Sequence, residues 1–259
     1  MKPNEIKARL EQLEGYSKTL VQAMRVLDER RHILQPLLED TEVKDALAKK
    51  LENSIGGHAY NHLVPWFAQD LVRDLTRLFL DQDRRSGSLV NLYRKSSDPK
   101  VLNALKEQFR SIPDKWYKDG DGIGDLPKEM AEEVLTKMHK NHCDDFEKSF
   151  EKDWDEVATA VANLEADPVS DKLKTFRDKY HAHLEMSPLG QDPTPFDVGS
   201  LGLTYNDILA FIDRFMWVPF EINRMISGTV YSVDEFSALH RQYGSAMWRA
   251  LGGLKVRES

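Results

Sequence analysis

The chain has 259 residues, enough for one large domain or one domain with an appendage, and a formal net charge of -7. That acidic balance excludes a generic nucleic-acid coat, which needs a positive field, so any RNA contact must be local. Cys143 is the only cysteine, which excludes an intramolecular disulfide and fits a reducing compartment, with the cytoplasm as the expected location.

The opening "MKPNEIKARLEQLEG" has no apolar leader. The most apolar run, "ILAFIDRFMWVPFEI", is interrupted by Asp213 and Arg214, so no membrane span or membrane partner is expected. Apolar residues recur at three and four, which predicts an all-α fold. A first helix is expected from about Asn4 to about Leu34, with Ile6, Leu10, Leu13, Leu20 and Met24 on its buried side and Pro36 at its end. A second helical stretch follows Asp40-Thr41, loosens at Gly56-Gly57 and resumes through Trp66, Leu71, Leu75, Leu78 and Phe79, with Pro65 as a kink point.

Ser88 is placed to cap a short helix, and Ser97 or Asp98 before Pro99 to start another reaching about Phe109. A long charged helix is predicted from about Pro127 to about Leu164. Asp167-Pro168 then starts a helix carrying "RDKYHAHLEM", which Ser187-Pro188 stops. After a Pro/Gly-rich linker, Thr204 with Asp207 forms a capping-box pattern, and a final helix runs from Ser232 to about Gly252. The expected organisation is a single all-α domain over residues 1–259, a helical bundle in which 1–55 and 230–259 are the candidate peripheral pieces.

Several patterns invite a chemical reading. "DGDGIGD" (119–125) alternates carboxylates with glycine, but an EF-type register from Asp119 puts Met130 at the bidentate position, and one from Asp114 puts Asp119 at the turn glycine. His58 and His62 have i, i+4 spacing without the zincin glutamate, and His139, His142 and Cys143 form a loose cluster without a paired ligand set. No metal or cofactor is therefore expected. Phosphate-binding glycine loops and nucleophile elbows are absent, and the run Ile208, Leu209, Phe211, Ile212, Phe215 has the spacing of core or interface.

On a helical wheel of about 100° per residue, Val169, Leu173, Phe176, Tyr180 and Leu184 form one packing stripe. Arg177 and His183 flank it by about 60° on either side, while His181 lies about 100° away, nearer solvent. Asp171, Asp178 and Glu185 point outward. His183 also sits in the last turn, where free carbonyls favour an imidazolium.

Arg177-Asp178-Lys179 followed by Ala182-His183 resembles the R-x4-6-H signature of the HEPN superfamily, closest to its abortive-infection U-type branch. "DLVRDLTRLFLDQDRRSGSLVNL" before the motif and "LTYNDI" after it stand in the order that branch carries, and the likeness spans roughly residues 58 to 225. The resemblance implies a HEPN-type bundle that pairs as a homodimer with two motif helices facing one cleft, and in active members a metal-independent endoribonuclease of a phage-defence or toxin-antitoxin system. An antitoxin or another defence-system component would be its partner. Arg177 and His183 would be the catalytic pair, with Asp178 and His181 supporting, and Lys172, Lys174 and Lys179 would guide RNA. The alternative is an inactive helical module that binds a partner protein or nucleotide through the same cleft. A third reading, a metalloprotein, would use His58 and His62 or the His139 cluster.

Overall fold

In a computed structural model, residues 2–117, 127–182, 185–186 and 193–256 are described, Lys128, His181 and Ala182 by backbone only. The fold is all-α. α1 (Pro3–Glu39), α2 (Thr41–Leu51) and α3 (Gly56–Leu75) lead into a π turn at Thr76–Leu80, followed by α4 (Leu89–Ser96), α5 (Pro99–Arg110) and α6 (Asp114–Tyr117). The long α7 (Lys128–Ala166) precedes α8 (Pro168–Phe176), which opens into a second π turn at Arg177–Ala182. α9 (Tyr205–Phe215), α10 (Trp217–Ser227) and α11 (Val233–Gly252) complete the chain. Among the described residues there is no strand, only an isolated bridge between Met186 and Pro195. No described helix is long and apolar enough to cross a membrane.

The element starts follow local chemistry. Ser88 Oγ accepts from Asn91 N, Asp98 from Lys100 N and Val101 N, and Asp167 from Val169 N, each satisfying an orphan donor of a first turn. Thr204 and Asp207 form the reciprocal box: Thr204 Oγ1 accepts from Asp207 N at 3.2 Å and Asp207 Oδ2 accepts from Thr204 N at 2.9 Å. The run Ile208, Leu209, Phe211, Ile212, Phe215 is buried throughout, as its spacing predicts.

α1 does not end at Pro36. Proline cannot donate to the carbonyl four residues back, which here is that of His32, so the ladder loses one bond. α11 meets the freed stretch: Gly244 lies so close that a Cβ there would come within 2.5 Å of the His32 oxygen, and Trp248 Nε1 donates to the Ile33 carbonyl at 2.7 Å. Tertiary partners thus let the helix run on to Glu39. The same pair of helices buries Asp28, which accepts from His240 Nδ1 at 2.8 Å and Ser237 Oγ at 2.9 Å.

α1 also packs against α3 and α10, and Leu13, Leu20, Met24 and Leu27 join Phe79, Phe211 and Ile222 in the main core. In α3 the buried face is Ala68, Leu71, Val72 and Leu75, whereas Trp66 is 66% exposed and outside the expected apolar side. Thr76 Oγ1 bonds back to the Val72 and Arg73 carbonyls, the kind of back-bond that loosens a helix, and the π turn begins there. The loop beyond it is fastened from inside, since Ser88 Oγ and Asn91 Nδ2 both donate to the Asp81 carbonyl.

Candidate functional site

α8 and α3 pack together, and each also touches the other's wide turn: α8 meets Thr76–Leu80, while α3 meets Arg177–Ala182. Leu173 and Phe176 are buried on this seam. Beyond Phe176 the expected stripe does not stay buried: Tyr180 is 42% exposed, and Leu184 lies outside the described residues. The reason is the π turn, whose i→i+5 bonds insert extra backbone per turn and shift Tyr180 off the position that a regular α-helix would give it. Single π turns inside α-helices gather at functional sites, and this one coincides with the motif.

Arg177 is half-buried, with Nε donating to Asp178 Oδ1 at 2.6 Å. Asp178 points outward, as the wheel predicts, yet reaches its neighbour along the backbone. Tyr180 holds the seam through its oxygen, which accepts from Gln69 Nε2 of α3 at 3.3 Å, and its ring lies 5.1 Å from that of Phe176. The chain after the motif doubles back, with Phe196 N donating to the Glu185 carbonyl at 2.8 Å.

The three lysines expected to guide RNA all have intramolecular partners. Lys172 donates to the Gly202 carbonyl, Lys174 faces Asp171 at 3.5 Å, and Lys179 pairs with Glu185 at 2.9 Å while covering the Phe196 ring. Their field toward an anionic ligand is correspondingly reduced. His183, the 119–125 loop and Ser187-Pro188 lie outside the described residues, and His181 is known only as part of the π turn.

A groove of about 460 Å³ opens beside the motif, lined by Gln69 and Val72 of α3, Phe176 and Tyr180 of the motif helix, and Leu203, Tyr205 and Ile208 at the start of α9. All three stretches singled out in the sequence therefore reach one depression. A larger cleft of about 820 Å³ lies along α7, between Lys152, Asn163, Arg214 and Trp217; no residue of the 177–182 turn lines it, whereas Tyr180 lines the smaller groove, and Arg177 and Asp178 line neither. We take the smaller groove as the candidate site because the motif helix forms its wall. Sequence reading did not foresee Gln69, which precedes the first flanking segment, since only tertiary packing brings it to Tyr180.

The loose histidines separate. His58 and His62 are both exposed on α3 and gather no third ligand among the described residues. His139 and Cys143 do gain one, Asp114 of α6, which sequence spacing could not supply.

The family model described as HEPN AbiU2 matches residues 4–247, well beyond the central span of the motif and its flanking segments. No curated protein and no solved structure matches the chain.

Proposed function

The chain belongs to the HEPN AbiU2 family, an abortive-infection family, and from that premise we propose that it is a metal-independent endoribonuclease acting as a homodimer. The observation that carries this reading is the convergence of the three segments on one groove, whose wall includes Phe176 and Tyr180 on either side of Arg177 in sequence. His183 takes the proton of a ribose 2′-OH, the 2′-oxygen bonds to phosphorus, and the bond from phosphorus to the 5′-oxygen breaks. His183 of the partner subunit returns a proton to that leaving oxygen. The products carry a 2′,3′-cyclic phosphate and a 5′-hydroxyl.

Arg177 supplies charge to the crowded phosphorane, and Asp178 orients its guanidinium through the 2.6 Å bond. His181 supports the site from the same turn. With Lys172, Lys174 and Lys179 already engaged, they contribute to RNA binding only by exchanging their partners for phosphate. Membership of an abortive-infection family supports a phage-defence or toxin-antitoxin setting as part of this reading, with an antitoxin or another defence-system component as the proposed partner.

The test is incubation of assorted RNAs with purified protein in EDTA, with end-group analysis of the fragments. We expect cyclic-phosphate ends from the native chain and none from an Arg177→Ala/His183→Ala double variant. Cleavage retained by that variant overturns the assignment. A second reading draws on the apolar character of the groove, in which Val72, Phe176, Leu203 and Ile208 outnumber charged groups: a non-catalytic module that binds a partner protein or a nucleotide. It predicts no turnover and a ligand-dependent rise in melting temperature.

A further inference from the structure

A second constellation lies on different helices from the motif. His139 and Cys143 stand i, i+4 on α7 and face the same way, and α6 brings Asp114 against them. Asp114 Oδ1 is 2.7 Å from His139 Nε2 and 3.8 Å from Cys143 Sγ, while Cys143 Sγ is 3.5 Å from His139 Nε2.

α6 is held in place by aromatic packing: Trp116 meets His142 and Phe146, and the Tyr117 hydroxyl lies 2.7 Å from His142 Nδ1. The carboxylate is thereby delivered to the α7 pair by a braced element. Beside Asp114 and His139 a cleft of about 410 Å³ opens to solvent past Leu135 and Thr136. The three donors thus form a triangle closed by Cys143 on the protein side and open on the other.

We propose that Asp114, His139 and Cys143 bind a divalent ion of the zinc class, with the fourth position taken by water from the cleft. A tetrahedral Zn²⁺ with usual bond lengths separates sulfur from nitrogen or oxygen by about 3.6 Å, and nitrogen from oxygen by about 3.4 Å. Both sulfur distances already fit. The His139 to Asp114 contact must widen, which the exposed Asp114 side chain allows by rotating.

The donor set also selects the ion: a thiolate and an imidazole favour zinc over magnesium or calcium, which prefer all-oxygen shells. Without an ion, burial and then the Asp114 charge push the Cys143 thiol up, so it holds its proton. Binding forms the metal–sulfur bond and sends that proton to solvent. Asp114 and Asp144 attract the cation, and Arg110 opposes it. The site does not rest on the ribonuclease reading, since none of its ligands lies on α8.

The experiment strips the full-length protein with a chelator and titrates it with Co²⁺, following absorbance. We expect saturation at one ion per chain, a thiolate-to-cobalt charge-transfer band, and displacement of the colour by Zn²⁺. Cys143→Ser removes that band and His139→Gln weakens binding at least about tenfold, the scale that loss of even outer-shell support produces. His58→Gln/His62→Gln and Arg177→Ala/His183→Ala leave the titration unchanged, which separates this site from the motif. A native protein that gives no thiolate band, or a Cys143→Ser protein that keeps it, overturns the proposal whatever the folding of the other variants.

Discussion

Arg177 and Asp178 are bonded side chain to side chain although they are adjacent in sequence, with Nε to Oδ1 at 2.6 Å on an open π turn. Neighbouring residues on an α-helix diverge around the axis, so this pairing fixes the guanidinium from the solvent side. Asp178→Asn is expected to lower kcat for RNA cleavage roughly tenfold, the loss of a charge-assisted bond, with KM little changed. Its melting temperature should hold, because exposed pairs contribute at most about 1 kcal/mol. Steady-state kinetics beside a thermal scan checks both, and an equal fall in stability would assign Asp178 to the fold instead.

The buried Asp28 gives the α1–α11 seam a pH dependence. Burial pushes its carboxyl up, but hydrogen bonds from His32, His240 and Ser237 outweigh this and hold it below the ordinary carboxylate value. A depressed folded value contributes stability above the unfolded pKa of about 3.9, and that contribution is lost as pH falls through the lower folded value. Urea midpoints at pH 7, 5 and 3 should fall toward acid in the native chain, with the Asp28 share of that fall missing in Asp28→Asn. Asp28→Ala, which strips partners from His240 and Ser237, should cost about 3 kcal/mol at pH 7.

At position 244 any side chain collides with backbone. The added Cβ of Gly244→Ala would stand 2.5 Å from the His32 oxygen and 3.0 Å from its carbon, and neither can rotate away. The helices must separate, at a cost of about 1–3 kcal/mol as for other overpacked contacts. The predicted consequence is a melting temperature lower by roughly 2–9 °C for a chain of this size. Gly15→Ala, where nothing lies within 4 Å, is the control and should not destabilise.

Asn91 is 1% exposed and ties the 81–88 loop through its amide to the Asp81 carbonyl. Asn91→Leu removes that donor and leaves the part-buried carbonyls of Asp81 and Asp83 each with one bond fewer, so unfolding free energy should drop by about 1–3 kcal/mol. Chemical denaturation measures it. Faster amide exchange confined to residues 81–91 would accompany the loss.

Features encoded within four or five residues were legible from sequence alone. Ser88, Asp98, Asp167 and Thr204 cap where their side chains predict, because a cap needs only its own first turn. Pro36 misled, since local chemistry describes the lost bond but not the α11 residues Gly244 and Trp248 that pack over the same turn. Tyr180 misled for a related reason: a helical wheel assumes a constant angle per residue, and the wide turn changes it. Asp114 joins His139 and Cys143 only through the docking of α6, so spacing on α7 could present two ligands but never the third. The motif pair is the mixed case, with Arg177 and its turn described and His183 outside the described residues.

A π turn uncouples counting along the chain from direction around the axis. In a regular α-helix one inserted residue swings everything after it by more than a quarter of a circle. Where the ladder is already wide, an added or lost residue is absorbed by shifting between i→i+4 and i→i+5 bonding, and the groups on either side keep their aim. The R-x4-6-H signature tolerates a spread of spacings, and in this chain its arginine stands at the first residue of such a wide turn, Arg177–Ala182.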